Sequence, residues 1–335
     1  MSGSSVGPSA VVAVLTYRRT EALPALLTEL VAQAATVHPS ATVLVVDNDP
    51  AGSAAGTVRA WAGLGVRYVH EARPGISAAR NRALVESADA DVLVFLDDDE
   101  LPSPRWLEQL VSSWLSWRCA AVAGPVPARL LGPPPPWVAG SGVFDRRRRP
   151  TGERLTGAGA GNLLLDLRQV RALGLSFDER LGLTGGEDTL FTHQLVHLGA
   201  EIRWCDEAEA VESIPADRLT RRWVLQRSFR SGSSWSRAEV HLAGGALRRW
   251  RTRGVVLVKA GARMPVAGLG LLTALVRRDL AGRARAEVTL VSYAGLVSGA
   301  FGYVFGEYAR TAGVAAPSVP APSVPVEEEQ HAGSR

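Results

Sequence analysis

Residues 91–100 read DVLVFLDDDE, five apolar side chains and then four consecutive carboxylates. Val92 to Leu96 lack the polar alternation of a half-exposed strand, which predicts a buried parallel strand. Asp97, Asp98, Asp99 and Glu100 crowd like charges at its carboxyl end, where each raises its neighbours' pKa unless a cation neutralises them. Hard oxygen ligands at such a place suit Mg²⁺ or Mn²⁺, with bound phosphate completing the coordination. Alone, the segment is also compatible with a solvated acidic turn. A second acidic pair, Glu187-Asp188, follows a glycine-rich stretch over 182–186 and opens an apolar-periodic segment with Leu190, Phe191, Leu195 and Leu198. Carboxylates at a helix start are stabilised by the macrodipole and need no further function. The preceding glycines, however, let another molecule approach closely.

The elements that would position these acids alternate. Ala10–Thr16, Val43–Val46, Val66–Val69 and Asp91–Leu96 read as buried strands, with a helix after Thr20, as its cap, and another over Ile76–Glu86. Pro102–Trp117 reads as a further helix and Ala120–Gly124 as a short strand. This order predicts an α/β fold with a mostly parallel, doubly wound sheet. Ligands then bind outside the carboxyl ends of the strands where their order reverses, so Asp47 and the Asp97–Glu100 cluster should meet at one crevice. Neither GxGxxG nor GxxxxGK[ST] follows the first strand, so a bound nucleotide would need its phosphates neutralised by metal and by arginine. The run GPPPPW over 132–137 predicts stiff polyproline II, and Arg146–Arg149 either meet phosphate or belong to a surface loop.

Composition sets bounds on function. The chain has 335 residues, 46% of them hydrophobic, with 37 basic against 33 acidic side chains and a net charge of +4. Two cysteines, Cys119 and Cys205, without CxxC or Cys/His spacing argue against zinc and a disulfide framework. A reducing cytosolic compartment is then the default, and the opening MSGSSVGPSA lacks the basic-then-apolar pattern of a signal peptide. Residues 1–9 and 313–335 read as disordered ends.

Seven segments in order resemble the family 2 inverting glycosyltransferases of the GT-A fold, in particular the bacterial exopolysaccharide and succinoglycan-type branch. They are VVAVLTYRR (11–19), VLVVDND (43–49), RPGISAARNRAL (73–84), VLVFLDDDE (92–100), GAGNLLL (159–165), FDERLGLTGGEDTLF (177–191) and RLTRRWVLQRSFRSG (218–232). The resemblance implies a nucleotide-diphospho-sugar donor, an acceptor hydroxyl on a glycan or lipid-linked saccharide, and Mg²⁺ or Mn²⁺. By position it implies that Asp47 reads the nucleotide base beside Thr16 and Tyr17, and that Arg80 lines the nucleotide pocket. Asp97 and Asp99 match the two acids of a DxD motif, and Asp188, beside Glu187, matches the catalytic base. Glu212 stands near the place where related enzymes often carry a histidine ligand. The processive-synthase motif QxxRW is absent; Arg227 and Arg230 stand in QRSFRSG instead, gripping diphosphate or lying on a helix surface. A single-addition transferase over residues 10–235 is the implied domain.

The region 236–312 is expected to be a helical extension. Val288–Gly306 runs 19 residues without a charge, the length of a membrane span, but holds four glycines suited to close packing. Basic clusters at 247–253 and 277–285 flank apolar helices, the pattern of an interfacial segment. In-plane or re-entrant docking over about 247–310, a soluble helical hairpin and a true span remain open. The expected location is cytoplasmic, peripheral at the inner face of the plasma membrane, where a lipid-diphosphate-linked acceptor would be met. Other functions the pattern permits are a nucleotidyltransferase of similar fold and a basic nucleic-acid-binding protein. TYRRTEALP lacks the glycine-rich loop of the first, and no binding motif supports the second, so no nucleic-acid partner is expected.

Overall fold

Runs of Val, Leu and Ala with no polar alternation must be covered on both faces, and in this chain they pair side by side in the middle of a sheet. The computed structural model describes residues 9–37 and 41–303. Its first half contains β1 (Ala10–Thr16), α1 (Leu23–Thr36), β2 (Ala41–Asp47), α2 (Ala55–Val58), β3 (Val66–His70), α3 (Ile76–Glu86) and β4 (Val92–Asp97). Then come β5 (Glu100–Pro102), α4 (Trp106–Trp117), β6 (Ala121–Ala123), β7 (Ala128–Leu130), α5 (Pro136–Ser141), β8 (Arg154–Leu155), β9 (Asn162–Asp166) and α6 (Leu167–Ala172). The last part holds α7 (Glu187–His197), β10 (Ile202–Trp204), β11 (Ala210–Ile214), α8 (Arg221–Leu242), α9 (Ala246–Arg277) and α10 (Leu280–Ala300). The ends read from sequence as disordered, apart from Ser9, and the last residues of the helical extension lie outside the described residues.

The larger sheet has the order β3-β2-β1-β4-β9-β6-β10-β8. β3, β2, β1 and β4 are parallel, as are β6 and β10. β9 runs antiparallel to both β4 and β6, so the sheet is mixed, though mostly parallel as expected. The chain winds outward from β1 to β3 and returns to the other side of β1 as β4, which puts the reversal of order between β1 and β4. Register there sets Leu15 beside Asp97 and Thr16 beside Asp47. A smaller sheet, β5-β11-β7, begins at the last acid of the run and places Glu212 opposite Glu100.

Alternate residues of β4 serve two cores. Val92, Val94 and Leu96 meet Leu23, Leu27 and Leu30 of α1 and Trp106 and Leu110 of α4. Leu93 and Phe95 meet Ala79 and Ala83 of α3, Phe177, and Phe191 and Leu195 of α7. Two boundaries differ from expectation. α1 starts after Ala22 with Pro24 in its first turn, whose fixed φ sets the start without a cap from Thr20. α4 begins only at Trp106, because Glu100–Pro102 is drawn into pairing with β11. Of the proline run, Pro135 is extended (φ −54°, ψ 149°) and Pro136 already starts α5.

The uncharged stretch from Val288 falls largely in α10, and its glycines are used for packing. A Cβ on Gly295 would stand 2.1 Å from the carbonyl oxygen of Phe229, and one on Gly299 2.2 Å from that of Ser233, both on α8. α10 lies against α5, α8 and α9. Among the described residues the helix long and apolar enough to cross a membrane is α9 instead, and it is mostly unburied. Gly306 lies outside the described residues.

Gly295→Val should lower the melting temperature, at a cost of about 1–3 kcal/mol for forcing the helices apart. Gly261→Ala, on α9 with nothing within 4 Å of the added carbon, should leave it unchanged or raise it. Equal melting points for the two variants would contradict this packing.

Candidate active site

A cleft of about 1080 Å³ opens at the carboxyl ends of β1 and β4. β4 ends in the acidic run, and the turn into β5 spreads its four carboxylates in different directions. Asp98 is buried and inward: it accepts from the Thr16 hydroxyl at 2.9 Å and from Arg19 Nη1 at 2.9 Å. The same Arg19 nitrogen donates to Asp99 Oδ2 at 2.8 Å, and Arg218 Nη1 stands 3.4 Å from that oxygen. Glu100 is buried beside Glu212 across the small sheet, and its Oε2 has no hydrogen-bond partner. Glu212 accepts from Arg146 at 2.7 Å and has Arg227 at 3.6 Å. Gly161 keeps a side chain out of this place, since a Cβ there would lie 2.6 Å from Glu100 Oε1 and 3.0 Å from Asp97 Oδ2.

These carboxylates are held against their own repulsion. Asp97 opens partly to the cleft, yet removal from bulk water pushes its carboxyl up to about 6, Arg80 opposing and Asp99, Asp98 and Asp188 adding to the rise. Burial raises Asp98 against the pull of Arg19, and burial with Asp97, Asp99 and Glu212 nearby raises Glu100 well above the usual range. Burial would lower the Arg19 guanidinium, but Asp98 and Asp99 outweigh it and raise it. Among the described residues no three acidic, imidazole or thiol groups gather closely enough to cage a cation unaided. The donor set still fits one: cleft-facing carboxylates and an orphaned buried oxygen, all hard ligands, suit a divalent ion that shares its coordination with phosphate.

The second acidic motif enters from α7. Gly185 and Gly186 both have positive φ (75° and 88°), and a Cβ on Gly186 would meet Ser234 Cβ at 2.7 Å, so only glycine allows this approach to α8. The pair that follows divides. Glu187 is buried and ion-paired with buried Arg80, whose other Nη lies 3.9 Å from Asp97 Oδ1. Arg80 is also seated over the rings of Phe177 and Phe95, at 5.5 and 6.0 Å. Asp188 faces the cleft: its Oδ1 accepts from the Thr189 amide at 2.6 Å, and its Oδ2 lies 3.6 Å from where a Gly159 Cβ would be.

Of the residues singled out from sequence, Thr16, Tyr17, Asp97, Asp99, Asp188, Glu212, Arg227 and Arg230 all line the cleft. Asp47 and Arg80 do not. Asp47 is fully buried, and its two oxygens accept from the amides of Asp49 (2.9 Å) and Ala54 (2.8 Å) and from the Tyr68 hydroxyl (3.1 Å). It shapes the loop after β2; the next residue, Asn48, reaches the cleft wall and binds the carbonyls of Glu71 and Arg73. Arg80 lies behind the wall as a bridge between the two acidic motifs. Arg146, Arg147 and Arg149 line the cleft, while Arg148 is turned to Asp206 and Glu209. Arg19, Arg218 and Trp223 also line it, and sequence reasoning gave them no role. The signal was there for Arg19, a cation placed just past the end of β1, where phosphate would be met.

Comparisons with known proteins bear on this cleft. The family model "Glycosyl transferase family 2" matches residues 11–164. The succinoglycan biosynthesis protein ExoM of Rhizobium meliloti (strain 1021) is 34% identical over 296 residues, 87% of this chain and 92% of that protein. The pre-mycofactocin glycosyltransferase of Mycobacterium tuberculosis is 28% identical over 230 residues, 64% of this chain and 45% of its own length. Among solved structures, mannosyltransferase PcManGT from Pyrobaculum calidifontis, in complex with GDP-Man and Mn²⁺, is similar with a TM-score of 0.58 at 20% identity, over 88% of this chain and 89% of that one. GalNAc-T7 with UDP, GalNAc and Mn²⁺ gives a TM-score of 0.51 at 12% identity, over 71% of this chain and 48% of that one. These two share the fold.

A carboxyl whose pKa is raised by folding opposes the folded state once it must ionise, so the burden of Asp97 grows as pH climbs from its ordinary value, near 4, through about 6. A bound cation lifts that burden. Mn²⁺ should therefore raise the melting temperature little at about pH 5 and fully at about pH 7.5, and Asp97→Asn should stabilise the metal-free protein at the higher pH. A Mn²⁺ effect that is absent, or the same at both pH values, would remove the cation from this cluster.

Proposed function

This chain belongs to glycosyltransferase family 2, and we propose that it is a metal-dependent inverting enzyme of that family, with Asp188 as its base. Membership makes it a glycosyltransferase and displaces nucleotidyl transfer and nucleic-acid binding. The donor is a nucleotide-diphospho-sugar and the acceptor a hydroxyl of a glycan or lipid-linked saccharide. GDP-Man and Mn²⁺ in the PcManGT complex, and UDP and Mn²⁺ in that of GalNAc-T7, support donor and metal alike. The likeness to a succinoglycan biosynthesis protein supports a part in polysaccharide assembly, and the long apolar α9 is compatible with a place at the inner face of the plasma membrane.

The observation that carries this reading is the division of labour between the two acidic motifs. Glu187 is spent on Arg80 behind the wall, which leaves the adjacent Asp188 facing the cleft with Asp97 and Asp99. Asp97 and Asp99 would hold the cation, and a divalent ion there neutralises charge growing on the departing diphosphate. Asp188 takes the proton of the acceptor hydroxyl as its oxygen bonds to the anomeric carbon. The bond from that carbon to the diphosphate oxygen breaks on the opposite face, its electron pair leaving with the nucleotide. Arg19 and Arg218, now on Asp99, line the same cleft and would meet the diphosphate, as would Arg227 and Arg230 on α8. Asp47 shapes the loop after β2 that would support the nucleotide, and Glu212 would add a further carboxylate to the donor set for the cation.

Asp188→Asn should lower transfer by about 10²–10⁴-fold, the worth of a general base, and leave nucleotide-sugar binding by calorimetry within a few-fold. Asp99→Asn should abolish the dependence of donor binding on Mn²⁺. Full transfer by the first variant would remove Asp188 as base, and loss of donor binding would make it a structural group.

A further inference from the structure

α9 keeps an apolar face to solvent along its whole length. Leu247, Val258, Leu269 and Val276 fall on one line of the helix and are 75%, 73%, 64% and 86% exposed. Val256, Ala260 and Ala274, on the opposite line, are buried. From Gly254 to Val276 the only charges are Lys259 and Arg263. Lys259 turns back over the Trp235 ring of α8, at 5.4 Å, and Arg263 falls by helical period away from the outward line. Arg248, Arg249 and Arg251 stand at one end of this strip and Arg277 and Arg278 at the other. Residues 246–278 thus hold eight basic and no acidic side chains, while the chain as a whole carries +4, so everything outside this helix is net negative.

We propose that α9 lies flat on an anionic phospholipid leaflet, its outward line immersed and its terminal arginines on lipid phosphates. The strip is long enough to span, but one side of the helix is held by protein. That side packs on α10 and α8, and Arg253 Nε donates to the Ala300 carbonyl at 3.0 Å. α10 is in turn locked to α8 by the backbone approaches at Gly295 and Gly299. A spanning α9 would have to leave these partners, whereas an in-plane helix keeps them. A second copy of the chain is a poor cover, since it would bring eight more positive charges to the same contact. Anionic lipid supplies both the apolar phase and the opposite charge. This surface does not depend on the transferase reading, and its test reads lipid rather than sugar.

The test is co-sedimentation of the full-length protein with phosphatidylcholine vesicles, with and without phosphatidylglycerol. Binding should require phosphatidylglycerol and weaken with salt. Val258→Glu/Leu269→Glu, on exposed positions, should lower it about tenfold or more with melting temperature and donor hydrolysis unchanged. Cys119 and Cys205 are buried, so nitroxides can be placed singly at positions 258, 269 and 276; one shared shallow depth is expected. Graded depths would establish a span and overturn the proposal. So would lipid binding that the double variant leaves intact, or a dimer that it dissolves without any lipid effect.

Discussion

A buried guanidinium holds the two acidic motifs in one relation. Arg80 reaches Glu187 at the start of α7 with one nitrogen and stands 3.9 Å from Asp97 at the end of β4 with another. Such a pair is weak evidence for stability, since taking both charges out of water offsets most of their attraction. Its value is positional: Glu187 is committed to Arg80 behind the wall, while its neighbour Asp188 faces the cleft. Removing either partner would leave an uncompensated buried charge at a cost of about 3–5 kcal/mol. The aromatic seat of Phe95 and Phe177 places that cation, and both rings belong to the core that α3, α7 and β4 share.

Around this bridge the chain uses missing side chains as a building material. Gly159 and Gly161 clear space in front of Asp188, Asp97 and Glu100, and Gly186 lets α7 begin against α8. The same device holds α10 on α8, the helix that brings Arg227 and Arg230 to the cleft. α9 is then carried on the outside of that pair, with its terminal arginines and apolar line left outward. The catalytic cleft and the lipid-facing surface are thereby joined through α8 and α10.

Much of this was legible in the residues. A strand ending in four carboxylates predicts its own place at a crevice on the carboxyl edge of the sheet, because an apolar run must be covered on both faces and crowded like charges need cations or water. Asp97, Asp99 and Asp188 were singled out by resemblance to the family the chain belongs to, and all three line the cleft. What sequence could not supply was the direction of each side chain. Asp47 and Arg80 stand in the expected motifs but face inward, since the turn after β2 needs a carboxylate for its amides and Glu187 needs a buried cation. The antiparallel β9 was also hidden, for its apolar run NLLLD reads the same in either direction. In the C-terminal third, composition marked both long helices as apolar; packing decided that α10 is enclosed by protein and that α9 keeps one face outward.

The most direct measurement is a crystal structure of the protein with Mn²⁺ and a donor analogue that cannot be transferred. The account predicts the ion between Asp97, Asp99 and the diphosphate, and Arg19 released from Asp99 towards phosphate. It predicts Asp188 on the face of the anomeric carbon opposite the diphosphate, with Glu187 still on Arg80. An ion bound away from Asp97 and Asp99, or Asp188 on the same face as the leaving group, would contradict it.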